Sequence, residues 1–190
     1  MSWRSDEEEK YSRLYQNGYP AGRPFKCVKY FDIDLADTLI DLGCGPGEWS
    51  KQAKQYTGID ISSYVIEQNK LKNSGTYYQS CLTDLDGLTG EHFVNGVCFD
   101  VMEHIPPEHI FPTLKSISSL DIGTWYFAIC TRKSKKLDQD GNNLHLTIRS
   151  DEWWQKRLSD FFEIETCKPW KDLVMCQCTN YKSLLLVRSG

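Results

Sequence analysis

The feature that most constrains this chain is a short apolar run, Thr38-Leu-Ile-Asp-Leu42, that ends abruptly in Gly43-Cys-Gly-Pro-Gly47. Glycine reaches left-handed backbone freely and leaves no side chain between the main chain and a ligand, so the pattern predicts a strand entering a tight, ligand-facing turn. A second run over 56–60 ends in Asp60, thirteen positions beyond Gly47. Taken singly, the glycine turn would serve to join any strand to a helix, and Asp60 would serve as a helix cap. Together and in this order they predict an α/β domain that holds a nucleoside-containing ligand at its strand ends.

The rest of the chain fits that frame. β-branched or aromatic runs over 38–42, 56–60, 76–80, 94–99 and 124–130 alternate with helical patterns over 48–55, 63–72, 107–120 and 151–158. Such alternation predicts an α/β fold with a mostly parallel sheet. Ser62 and Ser150 stand as helix caps, and Pro106-Pro107-Glu108 suits a helix start. Runs at 161–166 and 183–187 are expected to close the sheet as its final pair, and Gly96 weakens the fourth strand. Residues 1–36 read as a helix over 6–16, with Ser5 and Glu8 at capping-box spacing, followed by a loop. With 190 residues, one domain is expected: an N-terminal segment, 1–36, serving as a lid, and a core, 37–190.

Composition removes several classes. Lys+Arg 22 against Asp+Glu 26 leaves a formal charge of −4, without the excess of a dedicated duplex-binding protein. No run approaches the ~18 apolar residues of a membrane helix. The first ten residues lack an apolar stretch behind a basic flank, so a soluble, cytoplasmic protein is expected. The eight cysteines are scattered, apart from the Cys176-x-Cys178 pair, and are expected to be buried free thiols rather than a zinc ribbon.

The ligand follows from charge. A pyrophosphate on the glycine turn would be repelled by Asp41, whereas the ammonium and sulfonium of S-adenosylmethionine would be attracted. The spacing is also Gly-x-Gly-x-Gly, without the third glycine of the dinucleotide fingerprint. Asp60 is placed to accept both ribose hydroxyls, with Ile61 flanking the adenine.

Asp41-Leu-Gly-Cys-Gly-Pro-Gly47, Gly58-Ile-Asp60-Ile-Ser62 and Asp100-Val-Met-Glu-His-Ile-Pro106 resemble the first-, second- and fourth-strand motifs of class I S-adenosylmethionine-dependent methyltransferases, nearest to the small-molecule, ubiquinone-biosynthesis-like branch. The resemblance spans about residues 38–162. It implies a Rossmann-like, seven-stranded, mostly parallel sheet with helices on both faces and the last strand inserted antiparallel. It also implies S-adenosyl-L-methionine as cofactor and S-adenosylhomocysteine as product. Asp41, Gly43, Cys44 and Gly45 would line the methionine end, with Trp49 and Asp100 in the same donor set, Asp60 on the ribose, and Cys81 and Leu82 at the adenine. Arg23 is the candidate cation for the cofactor's carboxylate. Two positions depart from the family: Cys81 stands where an acid is usual, with Asp84 three residues on, and Phe93-Val94 replaces the Phe-Asp that usually opens the fourth strand.

On the acceptor side, methyl transfer is an in-line displacement, so alignment matters most and a base is needed only for a protonated nucleophile. His104, after the fourth strand, is the candidate base, and Glu103 and His104 also suit a loop-ordering role. Asp100-x-x-Glu103-His104 resembles a divalent-metal set of some oxygen-methylating relatives, with His145 as a fourth ligand. The set is incomplete, and no metal is assigned. Arg132-Lys133-Ser-Lys135-Lys136 places four basic residues in five on a long loop, which reads as a solvated face, the usual role of such a run, or as a guide for an anionic acceptor. Asn142, Asn143 and His145 are expected to form the polar wall of the acceptor pocket, and Trp153-Trp154 to pack into the core on one face, with the other ring a candidate cover for the pocket. The reading is a methyltransferase for a small, anionic or hydroxylated acceptor. The alternatives are a nucleic acid or nucleotide acceptor, approached through the basic 132–136 loop and not favoured, and a non-catalytic cofactor-binding module.

Overall fold

A computed structural model describes residues 3–19 and 24–181. Among these, seven strands form one sheet in the order β3-β2-β1-β4-β5-β7-β6. In chain order the elements are α1 (Trp3–Gln16), α2 (Pro24–Phe31), β1 (Thr38–Leu42), β2 (Gln55–Asp60), α3 (Ser63–Lys72), β3 (Thr76–Gln79), β4 (His92–Phe99), α4 (Ile110–Ser118), β5 (Asp121–Cys130), α5 (Asp151–Ser159), β6 (Phe162–Trp170) and β7 (Leu173–Asn180). β1 to β5 pair in parallel, and β7 enters antiparallel between β5 and β6. The chain steps outward from β1 to β3, then reverses to β4 on the other side of β1. That reversal opens a crevice at the carboxyl ends of β1 and β4, where such sheets hold ligands.

Both sheet faces are covered. Ile40, Leu42, Cys98 and Phe127 pack with Ile110 and Leu114 of α4 and Trp154 and Leu158 of α5. Their strand neighbours Leu39, Val97 and Tyr126 point the other way and pack with Val65 and Ile66 of α3. Gly96 lies opposite Trp125 in the β4–β5 register, and a Cβ there would stand 2.5 Å from the Trp125 ring. The glycine expected to weaken the strand instead makes room for Trp125, a fully buried side chain.

Several expectations are corrected. The helix over 48–55 is only a 3-10 turn, Glu48–Lys51, because β2 already begins at Gln55 and a longer helix would leave no chain to return to the sheet. Residues 24–31, read as loop, form the two-turn α2, which buries Cys27 against Ala128, Cys130, Leu173 and Met175. Ser5 lies inside α1 rather than capping it. The last strand is Leu173–Asn180; the run at 183–187 falls outside the described residues. Cys167 and Cys176, opposite each other on β6 and β7, form a disulfide, so these two thiols are not free. Ser62 and Ser150 do cap α3 and α5, accepting from the amides of Val65 and Trp153.

Candidate active site

A cavity of about 360 Å³ occupies the crevice. Its floor is the glycine turn. Gly43, Gly45 and Gly47 all take left-handed backbone, at φ of 73°, 48° and 67°. At Gly43 a Cβ would lie 2.3 Å from Val101 Cγ2, so the turn after β1 and the turn after β4 touch only because a side chain is missing. The Gly43 and Cys44 amides donate to the Ile59 carbonyl, and the Gly45 amide donates to Asp60 Oδ2 at 2.9 Å. From α3, the Asn69 side chain donates to the Gly45 carbonyl at 2.7 Å and the Asn73 side chain to the Pro46 carbonyl at 2.8 Å. No sequence motif marked these two asparagines; only their shared helix face brings them to the loop.

Two buried carboxylates flank the turn. Asp41 accepts from the Tyr56 hydroxyl at 2.7 Å, and burial pushes its pKa up to about 7. Asp60 accepts from the Ser62 and Gly45 amides, and burial pushes it up to about 6. Asp100 closes β4 with left-handed backbone, φ 54°, and its amide donates to the Ala128 carbonyl. Asp41, Gly43, Cys44, Gly45, Trp49, Asp60, Ile61, Cys81, Leu82 and Asp100 all line the cavity. Asp84 does not; it pairs with Arg4 of α1 at 3.0 Å, so the cavity wall after β3 is made by Ser80, Cys81 and Leu82. Arg23 lies outside the described residues.

The opposite wall comes from α1 and the loop after β5. Glu8 accepts from the Ser63 hydroxyl and amide, and Ser12 bonds Ser62, which fastens α1 onto the start of α3. Tyr11, Tyr15 and Tyr19 then line the cavity, with the Tyr15 hydroxyl over Gly45. Tyr11's hydroxyl lies 2.8 Å from His104 Nδ1, which also meets the Leu144 carbonyl at 3.0 Å. Burial, aided by His145, lowers the His104 pKa to about 3, so the ring is neutral at ordinary pH. A ring so hard to protonate is a weak base, and its Nδ1 is already engaged by Tyr11 and the Leu144 carbonyl.

His145 stands edge-on to His104 with ring centroids 4.8 Å apart, and both rings line the cavity. Its Nδ1 donates to the Arg132 carbonyl at 2.6 Å, and its amide donates to Asn143 Oδ1. Asn143 thus braces the loop, while Asn142 bonds Asp138, and neither lines the cavity. Trp154 is core and Trp153 lies under Arg149 and Arg157, so neither covers the pocket. Arg132, Lys135 and Lys136 do face the cavity; Arg132 is paired with Asp172, and Lys136 lies over the Tyr19 ring. Glu103 is fully buried behind the wall, and its carbonyl receives the amides of Leu146 and Thr147. Asp100, Glu103 and His104, to which no metal was assigned, do not cluster. Among the described residues, the donors that cluster are Glu103, Cys130 and His145.

The sheet order and the glycine-floored crevice define a Rossmann-like methyltransferase fold. Residues 40–118, from β1 through α4, match the family model described as a methyltransferase domain. A protein from Pyrococcus horikoshii OT3 superposes at a TM-score of 0.64 with 15% identity, over 91% of this chain and 92% of its own. Magnesium protoporphyrin IX methyltransferase from Synechocystis PCC 6803, solved with bound SAM, superposes at 0.68 with 15% identity, over 95% and 98%. A TehB-like SAM-dependent methyltransferase from Corynebacterium glutamicum ATCC 13032 Kitasato gives 0.62 and 15%, over 93% and 97%. At such identities the likeness is one of fold. No curated protein matches the sequence. No helix among the described residues is long and apolar enough to cross a membrane.

Proposed function

We propose that this chain transfers a methyl group from S-adenosyl-L-methionine to a small acceptor that is anionic or hydroxylated. The observation that carries the reading is the division of charge within one cavity: Asp41, Asp60 and Asp100 on the glycine-turn side, Lys135 and Lys136 on the other. A donor bearing an ammonium and a sulfonium suits the first side, and Asp60 is placed for its ribose hydroxyls. An anion suits the second. Bound between them, donor and nucleophile would be held in line, which is the main demand of this displacement. The donor supplies the electrophilic methyl; the chain's own residues bind, orient and exclude water. His104 and His145 stand beside the acceptor end, with His104 aligned by Tyr11 and by the Leu144 carbonyl.

The test is calorimetric titration of cofactor-stripped protein with S-adenosylhomocysteine. Micromolar binding is expected, weakened at least about 100-fold in Asp60→Ala, since that change removes hydrogen bonds to a charged group and leaves the Gly45 and Ser62 amides unmet. A nicotinamide dinucleotide should not compete. Absence of heat and of thermal stabilisation at large ligand excess would overturn the donor assignment.

A further inference from the structure

We propose that Glu103, Cys130 and His145 form a site for a soft divalent cation of the Zn²⁺ class. The three side chains come from the turn after β4, the end of β5 and the loop that follows, yet their ligand atoms all lie within 4.8 Å of one another. Donors around a tetrahedral ion stand roughly 3.3–3.8 Å apart for bonds of ~2.0–2.3 Å, so side-chain movements of about 1 Å would close the set. Thiolate with imidazole and carboxylate selects zinc over magnesium, which prefers oxygen alone.

The surroundings hold these donors in place. His145 Nδ1 donates to the Arg132 carbonyl, which makes Nε2 the lone-pair nitrogen of the neutral ring; a carbonyl of this kind fixes the tautomer of metal-bound histidines. Its amide is tied to Asn143, and the loop that carries it is tied to the Glu103 carbonyl through Leu146 and Thr147. Cys130 and Glu103 are fully buried, so the ion would be held in a poorly solvated place. The Arg132 guanidinium, on the same loop, is paired with Asp172. On binding, the S–H bond of Cys130 breaks, its proton goes to solvent, and a sulfur–metal bond forms. Three protein ligands leave one tetrahedral position open.

The experiment is a titration of chelator-treated protein with Co²⁺, in the absence of any methyl donor. A near-ultraviolet thiolate-to-cobalt band is expected, saturating at one ion per chain and displaced by Zn²⁺. Cys130→Ser should abolish the band. His145→Ala should weaken binding at least about 100-fold, beyond the ~10–100-fold that loss of an outer-shell partner costs. No band up to roughly millimolar cobalt, or a band that survives Cys130→Ser in a protein with parental circular dichroism, would overturn the site. If Cys130→Ser does not fold, unchanged cobalt affinity in both Glu103→Gln and His145→Ala would overturn it equally. Because no donor is present, failure of the methyl-transfer reading would leave this result standing.

Discussion

Asp41 and Asp60 lie under the glycine turn, and burial raises both pKa values, to about 7 and about 6. An unfolded aspartate releases its proton near pH ~4. Between that value and the folded ones, the folded state binds more protons than the unfolded state. The contribution of each group to stability is therefore greatest below about pH 4 and is lost as pH rises through 6 and 7. In the ligand-free protein, Asp41→Asn should flatten the decline in urea midpoint between about pH 4 and 7; an unchanged slope would contradict the burial argument. The same two residues were legible in the sequence, because an acid before a glycine turn and an acid closing the next strand follow from local order alone. Asn69 and Asn73 were not legible, since nothing in their local sequence marks a contact with a loop 24 and 27 residues away.

At the scale of elements, the turns after β1 and β4 are packed against each other through Gly43 and Val101. Gly43→Ala would add a methyl into that contact and force a left-handed backbone on a residue that resists it. A loss of about 2–4 kcal/mol in chemical denaturation is expected, with methyl-donor binding lost at conditions where the protein remains folded. A change under about 0.5 kcal/mol would mean that the turn relaxes freely. The parallel strands were legible because a fully buried strand reads as a continuous apolar run bounded by turn residues. Of the final pair, the run at 161–166 was legible and lies in β6, whereas β7 over Leu173–Asn180 was not, and only its pairing with β5 and β6 marks it as a strand. The helix expected over 48–55 failed for a geometric reason, the short span left before β2.

Across the whole molecule, the cavity gathers α1, the ends of β1, β2 and β4, the turn after β3 and the loop after β5. Lys135 and Lys136 belong to its acceptor side, and the double change to alanine should raise KM for an anionic acceptor about tenfold while leaving donor affinity unchanged. Turnover should depend only weakly on salt, as befits contacts to one small anion; a steep slope would instead point to a polyanionic acceptor. Sequence by itself determined the α/β class, the glycine turn, the acids at 41 and 60, and the position of the crevice. All of these rest on periodicity and on residues adjacent in the chain. Tertiary structure alone decided that Asp84 leaves the cavity for Arg4, and that His104 meets Tyr11 93 residues away. It also drew Glu103, Cys130 and His145 together. Those contacts join segments that share no period and no motif, so they come into being only when the sheet forms and brings its strand ends to one side.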